Sequence, residues 1–356
     1  MKIYFDKSLI QKEYLSFLAP LLWCPDFPLR WEDKNQIKDR FEYGKTLLSF
    51  SPQETCDFFV YPKYFRLDNF DELKWYSNDA KIHAKKVLVF SYGEIDDYID
   101  INENIVWYKR ATKIWNPDNE YCLPPFPEDL LPYNHNTIPS IQTWKKHKYS
   151  LGYTWYSNYV DIWSFFHYLF VRYMGMICRI PFIKKLLIKC KKESIYGRLI
   201  NAWIGNYCRW KTIQYIWKLD MYDFNFIQRR HALTTYVQKN LREEYIQNLI
   251  DTDFPLLVRW FGNYSIRHYE VLSLWKIPLY IDTWAKLPFD DVIPYDDIFI
   301  IVPFQELHEI GQYIDRYIAK NQWRFVEIQN NIRKIYETYF VMKNYYTTIV
   351  QRLKYK

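Results

Sequence analysis

The sequence lacks the closely spaced side chains that hold a structural metal ion. Its 6 cysteines are dispersed without a Cys-x-x-Cys pair, and its 7 histidines form no close pair. We therefore expect no metal site. Dispersed cysteines are also typical of reduced thiols in the cytosol, so this composition favours a cytoplasmic protein.

It also lacks a long uninterrupted apolar run. The most apolar stretch, residues 159–180, contains Asp161, Arg172 and Arg179, which do not suit a membrane-spanning helix. Residues 1–5 have the pattern of an opening strand rather than of a signal peptide. We therefore expect a cytoplasmic protein that is either soluble or peripheral to a membrane.

A one-sided charge pattern is missing as well. The 48 basic residues exceed the 41 acidic ones by a net charge of +7, but the two signs are interspersed along the chain. A general nucleic-acid binder normally carries a more one-sided basic pattern, so no nucleic-acid partner is expected. The densest basic run, residues 184–192, is interpreted either as a solvated helix face or as a peripheral membrane contact.

The first part of the chain has the pattern of an α/β domain. A length of 356 residues is typical of about two domains. Apolar runs alternate with helical stretches, and they predict strands at residues 2–5, 57–61, 86–90 and 105–108. Prolines clustered over residues 123–132 interrupt regular structure. We therefore predict an N-terminal α/β domain over residues 1–135.

The remainder has the pattern of a second α/β domain. Strands are predicted near 139–143 and at 224–229, 256–258, 277–281 and 298–302. Helices are predicted at 158–192, 235–250, from about Ser265, at 304–320 and at 324–353, with further α/β material over 197–217. We predict an α/β domain over residues 136–323, followed by a long C-terminal helix, residues 324–356, that packs back toward the first domain.

Residues 254–283 are the most informative stretch. A short apolar strand, a turn that contains Gly262, an amphipathic helix from about Ser265 and a second apolar strand form a predicted βαβ unit. Such a unit presents the end of its first strand and the start of its helix to one crevice. The free N–H groups and the positive dipole end of the helix favour an anion there, and Arg259 and Arg267 lie beside them.

The same stretch carries a family resemblance. Its residues are Leu257-Val-Arg259-x-x-Gly262-Asn-Tyr-Ser265-Ile-Arg267-His-Tyr-Glu270-Val-Leu, followed by Ile277-Pro278-Leu-Tyr-Ile-Asp282-Thr283. Together they resemble the signature of exostosin-family glycosyltransferases, especially the soluble single-module kind. Residues 287–302 and 225–229 resemble the segments that follow and precede this signature. Residues 87–110 resemble the acceptor-side domain of the family more loosely.

The resemblance implies a GT-B-like architecture, in which two Rossmann-like α/β domains face a cleft. The C-terminal half then holds a nucleotide-sugar donor, foremost a UDP-sugar, and the N-terminal half holds a glycan or other hydroxyl acceptor. It also implies an inverting, metal-independent transfer that needs no cofactor apart from the nucleotide-sugar co-substrate.

The resemblance also implies roles for the donor-binding residues. Arg259 and Arg267 would neutralise the diphosphate, and Glu270 would accept hydrogen bonds from the ribose hydroxyls. For Arg259 the alternative is a structural carboxylate partner. For Arg267 and Glu270 the alternative is a surface ion pair between them, because residues three apart are neighbours on a helix.

Other candidates carry weaker interpretations. Gly262, Asn263 and Ser265 would supply backbone N–H groups or a hydroxyl to the donor, although Gly262 alternatively serves only the turn. Asp282 and Thr283 either face the same crevice or cap the end of their strand.

An inverting transfer also needs a general base for the acceptor hydroxyl. The candidates are Glu94, Asp96 and Asp97, in the loop after the predicted strand 86–90, while Arg110 either assists the donor or acceptor or is structural. Asp251-Thr-Asp253 resembles a metal-binding Asp-x-Asp pattern but is interpreted as a helix-to-strand turn.

Two departures from the family pattern concern tryptophan. Trp260 and Trp275 stand where the family commonly has glycine. The Trp260 ring either opposes close backbone approach to a pyrophosphate or stacks on a base or sugar. The alternative to an active glycosyltransferase is therefore a catalytically inactive GT-B-fold protein that binds carbohydrate or acts as a scaffold.

Overall fold

The structure is a computed structural model of the whole chain. It describes residues 1–9, 43–44, 46–63, 65, 69–91, 101–124, 129–135, 137, 148–156, 173, 180, 202–229, 239–260 and 262–354. These residues form a mixed α/β protein with two parallel sheets. None of the helices within them combines the length and the hydrophobicity that a transmembrane span requires.

The first sheet belongs to the N-terminal part of the chain. Its strands are β1 (Lys2–Tyr4), β2 (Ser49–Phe50), β3 (Phe58–Val60), β4 (Lys86–Ser91), β5 (Ile105–Lys109) and β6 (Glu120–Cys122). They are all parallel and follow the order β2-β1-β3-β4-β5-β6. The four strands predicted here are confirmed, whereas β2 and β6 are too short to show an alternating pattern.

One helix covers a face of this sheet. Helix α1 (Phe70–Ile82) buries Leu73, Tyr76 and Ala80. These side chains pack with apolar residues of β3, β4 and β5 in one cluster. Its exposed face carries Asp71, Lys74 and Lys81 together with the exposed side chains of Trp75 and Ile82.

The second sheet belongs to the C-terminal part. Its strands are β7 (Tyr149–Tyr156), β8 (Tyr222–Arg229), β9 (Phe254–Leu257), β10 (Leu279–Asp282) and β11 (Ile300–Pro303). They are again parallel, in the order β11-β10-β9-β7-β8. The helices are α2 (Ala202–Ile216), α3 (Lys239–Asp251), α4 (Ile266–Ser273), α5 (Tyr295–Ile298) and α6 (Ile310–Asn321).

The strand order of the second sheet indicates where ligands commonly bind in such sheets. After β7 the chain adds β8 on one side and β9 on the other, so the order reverses between β7 and β9. In open parallel sheets, ligands bind outside the carboxyl ends of the strands at such a reversal. The predicted strand–helix–strand unit, now β9, α4 and β10, lies beside this point.

Several predictions for this half need correction. The chain forms β7 at residues 149–156, where no strand was predicted, and a continuous helix α2 where mixed α/β material was predicted. The predicted strand at 139–143 lies outside the described residues, as does nearly all of the predicted helix at 158–192. The helix-to-strand turn at Asp251-Thr-Asp253 is confirmed, because α3 ends at Asp251 and Asp253 accepts hydrogen bonds from the N–H and hydroxyl of Ser150.

The prediction of one long C-terminal helix is wrong. Helix α7 (Phe325–Ile335) continues into a π-helical turn (Tyr336–Phe340), Val341 is extended, and helix α8 (Met342–Lys354) follows. The two helices belong to different cores: α7 packs in the C-terminal cluster, and α8 packs against the first sheet. The helix is interrupted because α7 covers the apolar core of the C-terminal half and α8 covers that of the first sheet.

Candidate functional site

A crevice opens where β9 and β10 end. It has a volume of about 430 Å³, including the part open to solvent, and most of its lining comes from the loops after these two strands and from the start of α4. Cys122, at the end of β6, contributes from the N-terminal half. Two of the lining residues are basic, Arg259 and Lys286, and among the described lining residues none is Asp or Glu. The crevice therefore suits an anion.

The start of α4 faces this crevice. Ser265 is the N-cap residue and has extended backbone angles, but its hydroxyl makes no capping hydrogen bond within the described chain, and the first turn of α4 has no acidic residue. The first N–H groups of a helix need external partners, and the helix dipole adds positive potential at this end. An anion in the crevice would satisfy both.

Arg259 follows β9 and is 7% exposed. Its backbone is held from behind by Arg209 of α2, whose Nη1 donates a hydrogen bond of 3.0 Å to the Arg259 carbonyl oxygen. The Arg209 guanidinium also lies 4.6 Å from the ring centroid of Trp260. Trp260 therefore packs against Arg209 and is not among the residues that line the crevice.

Close approach of α2 makes this arrangement possible. A Cβ atom on Gly205 would lie 1.8 Å from the carbonyl oxygen of Trp260, so only glycine fits at this position of the helix. Sequence reasoning identified neither Gly205 nor Arg209, because they lie about fifty residues before the strand end that they contact and no local pattern links the two segments.

Asn263 and Thr283 connect the two loops that line the crevice. Asn263 Nδ2 donates to the Thr283 carbonyl oxygen at 3.0 Å, and the Thr283 hydroxyl donates to Asn263 Oδ1. Both residues are buried and line the crevice. Their side chains therefore maintain the shape of the site.

Arg267 lies on the other side of β9, at the end of β7. Its Nη2 donates to the Thr154 carbonyl oxygen, and its guanidinium lies 4.4 Å from the ring centroid of Tyr153 and 5.1 Å from that of Tyr245. Its Nη1 is buried and has no hydrogen-bond partner among the described residues. This donor lies near the strand-order reversal, but Arg267 is not among the residues that line the crevice.

Glu270 has a different partner from the one that the sequence suggests. Its carboxylate accepts a hydrogen bond of 2.8 Å from Arg242 Nη1 and another from the hydroxyl of Tyr245, both in α3. The surface pair with Arg267 therefore does not form. Glu270 is 1% exposed, so a ribose can reach it only if α3 or α4 moves.

Gly262 and Asp282 have local roles in this structure. Gly262 is buried, and no described glycine has a positive φ angle, so its turn does not depend on a left-handed backbone. Asp282 Oδ1 accepts a hydrogen bond of 2.7 Å from the Trp284 N–H. Burial raises the pKa of the Asp282 carboxyl, and backbone hydrogen bonds from Trp284 and Ala285 oppose that shift.

Trp275 occupies a position where glycine is normal. It has a φ of 62° just after the end of α4, its N–H donates to Leu272 O, and the next N–H, of Lys276, donates to Val271 O. This is the Schellman pattern, whose left-handed residue is usually glycine. Trp275 therefore lies at the end of α4 that faces away from the crevice and does not obstruct it.

His268 and Lys286 are crevice residues to which the sequence assigned no role. His268 is 5% exposed, and its Nε2 has no hydrogen-bond partner among the described residues. Burial lowers the pKa of His268 to about 3. Lys286 Nζ donates to the Glu120 carbonyl oxygen at 3.2 Å. Neither residue fits a recognised spacing, so only the structure places them at the site.

Some predicted residues are not part of the described site. Glu94, Asp96 and Asp97 lie outside the described residues, and so does the basic segment 184–192. Arg110 is half-buried, and its backbone N–H bonds to Ser91 O at 3.3 Å. Among the described residues, the crevice therefore contains candidates for binding the nucleotide-sugar donor, whereas the candidates for the general base lie outside the described residues.

Together these features define an α/β protein of two parallel sheets with a basic crevice at the strand ends. A scan against models of protein families finds no match for the chain, and a search of curated proteins finds none either. The functional argument therefore starts from the crevice itself.

Proposed function

We propose that this protein is a glycosyltransferase that moves a sugar from a nucleotide-diphosphate donor, foremost a UDP-sugar, to a hydroxyl group of a glycan or related acceptor. The observation that carries the proposal is the crevice, where Arg259, Lys286 and the uncapped start of α4 converge and where none of the described lining residues is Asp or Glu. The resemblance to exostosin-family enzymes over residues 254–303 supports the same function and a GT-B-like arrangement of the two halves.

In this proposal the diphosphate binds at the start of α4 between Arg259 and Lys286. The nucleoside extends toward β7, where Arg267 Nη1 has no protein partner among the described residues. Glu270 receives the ribose after it separates from Arg242. Donors that are already in place stabilise the charge that develops on the leaving diphosphate, which is a large contribution to catalysis in such sites.

The transfer itself is an inverting displacement. The acceptor oxygen forms a bond to the anomeric carbon while the bond from that carbon to the diphosphate oxygen breaks. The hydroxyl proton passes to a general base, for which Glu94, Asp96 and Asp97 remain the candidates. The two halves accelerate the reaction by orienting donor and acceptor across the crevice.

Calorimetric titration with UDP and a panel of UDP-sugars tests the donor site. We expect wild-type protein to bind UDP, and we expect Arg259→Met and Lys286→Met each to weaken binding about tenfold or more, because each removes a charged partner of the diphosphate. Lys334→Met is the matched control, since Lys334 is exposed on α7. Failure of the wild-type protein to bind any of these nucleotides, or equal binding by all variants, would refute the proposal.

The buried pairing of Glu270 with Arg242 favours a second candidate, an inactive carbohydrate-binding or scaffold protein that keeps the fold. Measured turnover separates the two. An active enzyme releases UDP from a UDP-sugar, slowly when the sugar is transferred to water and faster when it is transferred to an acceptor. An inactive relative binds nucleotide or glycan without releasing UDP.

A further inference from the structure

The two halves of the protein meet through a short piece of backbone pairing beside the crevice. Lys113, in the loop between β5 and β6, forms an antiparallel bridge with Ala285, in the loop after β10. The Ile114 N–H donates to the Trp284 carbonyl oxygen at 3.2 Å, and the Lys286 N–H donates to the Thr112 carbonyl oxygen at 3.2 Å. One loop from each half is therefore fixed against the other.

Each of these loops presents an indole ring to solvent. Trp115 is 61% exposed and Trp284 is 37% exposed. Their ring centroids lie 5.9 Å apart with an angle of 53° between the planes, and Lys113 Nζ lies 5.7 Å from the Trp115 ring. Two adjacent exposed indoles form a small apolar surface in contact with water.

The backbone at Trp284 is held in an unusual conformation. Trp284 has a φ of 61°, a left-handed conformation that is unfavourable for a bulky side chain, and Asp282 Oδ1 fixes its N–H. Strained positions of this kind cluster at functional sites. The strain indicates that the position of the Trp284 ring is imposed by the loop rather than chosen by local preference.

The loop that carries Trp115 rests on a buried polar network. Glu120 is 0% exposed and accepts hydrogen bonds from Lys109 at 3.0 Å, Thr112 at 2.9 Å and Asn116 at 2.6 Å. Every member of this network lies within or beside the loop. A fully satisfied buried network is rigid, so the exposed ring starts from a preorganised support.

The size of the surface restricts its partner. A stable protein interface buries at least about 1,000 Å² in total, far more than two half-exposed indoles offer. A pyranose ring is of the right size, because one of its faces carries C–H groups that pack flat on an indole while its hydroxyls stay in water. Ala285 and Lys286, which follow Trp284 directly, line the crevice. A sugar on these rings therefore lies next to the proposed donor.

We propose that Trp115 and Trp284 form a platform that binds pyranose rings of the acceptor glycan, with one ring supplied by each half of the protein. The assignment of the glycan as an acceptor rests on the proposed function. The proposal that the platform binds a pyranose chain is independent of that function, because it is argued from the two indole rings and the loops that hold them.

Fluorescence and calorimetric titrations with cellohexaose, xylohexaose and chitohexaose test the platform. We expect wild-type protein to bind at least one of these chains, with a change in tryptophan emission. Trp115→Ala and Trp284→Gly should each weaken that binding at least tenfold, and glycine accommodates the left-handed backbone at 284 without strain. Trp217→Ala is the matched control, because Trp217 is 57% exposed and lies elsewhere, just after α2.

A parallel titration of the same proteins with UDP separates this proposal from the proposed function. Loss of glycan binding in both platform variants with UDP binding unchanged supports the platform. Binding of glycans as tight in the variants as in the wild type, or no binding by the wild type, overturns it. Glycan binding by a wild-type protein that does not bind UDP refutes the donor site and leaves the platform standing.

Discussion

Asn263 and Thr283 form two hydrogen bonds with each other at the edge of the second sheet, one to the Thr283 backbone and one between the side chains. Asn263 Nδ2 donates to the Thr283 carbonyl oxygen at 3.0 Å, and the Thr283 hydroxyl returns a hydrogen bond to Asn263 Oδ1. The loops after β9 and β10 are thereby joined across the floor of the crevice. Since both residues are buried, loss of either partner leaves a polar atom without a partner and without water.

Thr283→Val keeps the shape of the side chain and removes its hydroxyl, so we expect it to lower the free energy of unfolding by about 1–3 kcal/mol. Asn263→Ala should cost a similar amount. The double variant should lose less than the sum of the two, with a coupling of at least about 0.5 kcal/mol, because the residues share their hydrogen bonds. Urea unfolding measures all three values.

Thr338→Val is the control for this cycle, because Thr338 is exposed and its change should stay within about 0.5 kcal/mol. Strict additivity of the losses at positions 263 and 283 would contradict the reciprocal pair.

Gly205→Ala tests the contact between α2 and the end of β9. The new methyl group would lie 1.8 Å from the Trp260 carbonyl oxygen, which is backbone and cannot rotate away. We expect a loss of about 1–3 kcal/mol in stability from overpacking, and weaker binding of UDP because Arg259 is displaced. Gly311→Ala is the matched control, since its methyl group would meet only the movable Leu219 side chain at 2.9 Å. Equal effects at both positions would contradict this account.

Glu270→Ala tests the buried ion pair with Arg242. The change leaves the Arg242 guanidinium and the Tyr245 hydroxyl without their acceptor, so we expect about 3–5 kcal/mol of destabilisation in urea unfolding. Glu327→Ala removes an exposed partner of Arg324 and should change stability by less than about 1 kcal/mol. An unfolding midpoint for Glu270→Ala close to that of the wild type would show that the carboxylate is available for a ligand rather than structural.

His268 makes stability depend on pH. Burial lowers its pKa to about 3 from an ordinary value of 6.5, so the unfolded chain binds a proton between these pH values that the folded protein does not. The contribution of His268 to stability is therefore complete above pH 6.5, and between pH 6.5 and about pH 3 it decreases by about 1.4 kcal/mol for each pH unit.

We expect His268→Phe to remove that part of the pH dependence, because the surrounding rings of Tyr280, Tyr295 and Phe299 accommodate another aromatic side chain. Urea midpoints at pH 7, 5 and 4 measure the effect. His308→Phe, at an exposed position, should retain the wild-type slope. Identical slopes for the wild type and His268→Phe would show that His268 titrates normally.

Much of the fold follows from local patterns. The apolar runs that predict strands at 86–90, 105–108 and 256–258 match β4, β5 and β9 within a few residues, because a buried strand needs consecutive apolar side chains. The same reasoning misses β7, whose residues Tyr149–Tyr156 mix polar and aromatic side chains with Gly152. A Cβ atom on Gly152 would lie 2.0 Å from the hydroxyl oxygen of Thr252, so the close packing of these two residues requires glycine. No local sequence pattern indicates this contact.

The candidate site divides in the same way. Arg259, Asn263 and Ser265 are identified from the sequence because they occupy the turn of a strand–helix–strand unit. Arg209 and Lys286 are not, since they reach the site from α2 and from the loop after β10. The catalytic roles of Glu94, Asp96 and Asp97 stay predictions.

By itself the sequence determined many of the strands and the anion-favouring start of α4, because side-chain periodicity and helix-start chemistry operate over a few neighbouring residues. Only the tertiary structure decided which charges share the crevice. It turns Arg267 toward β7 and Glu270 toward Arg242, and it brings Lys286 to Arg259 and Trp115 to Trp284. Strand order and the docking of the two halves set these encounters, and neither depends on residue spacing along the chain.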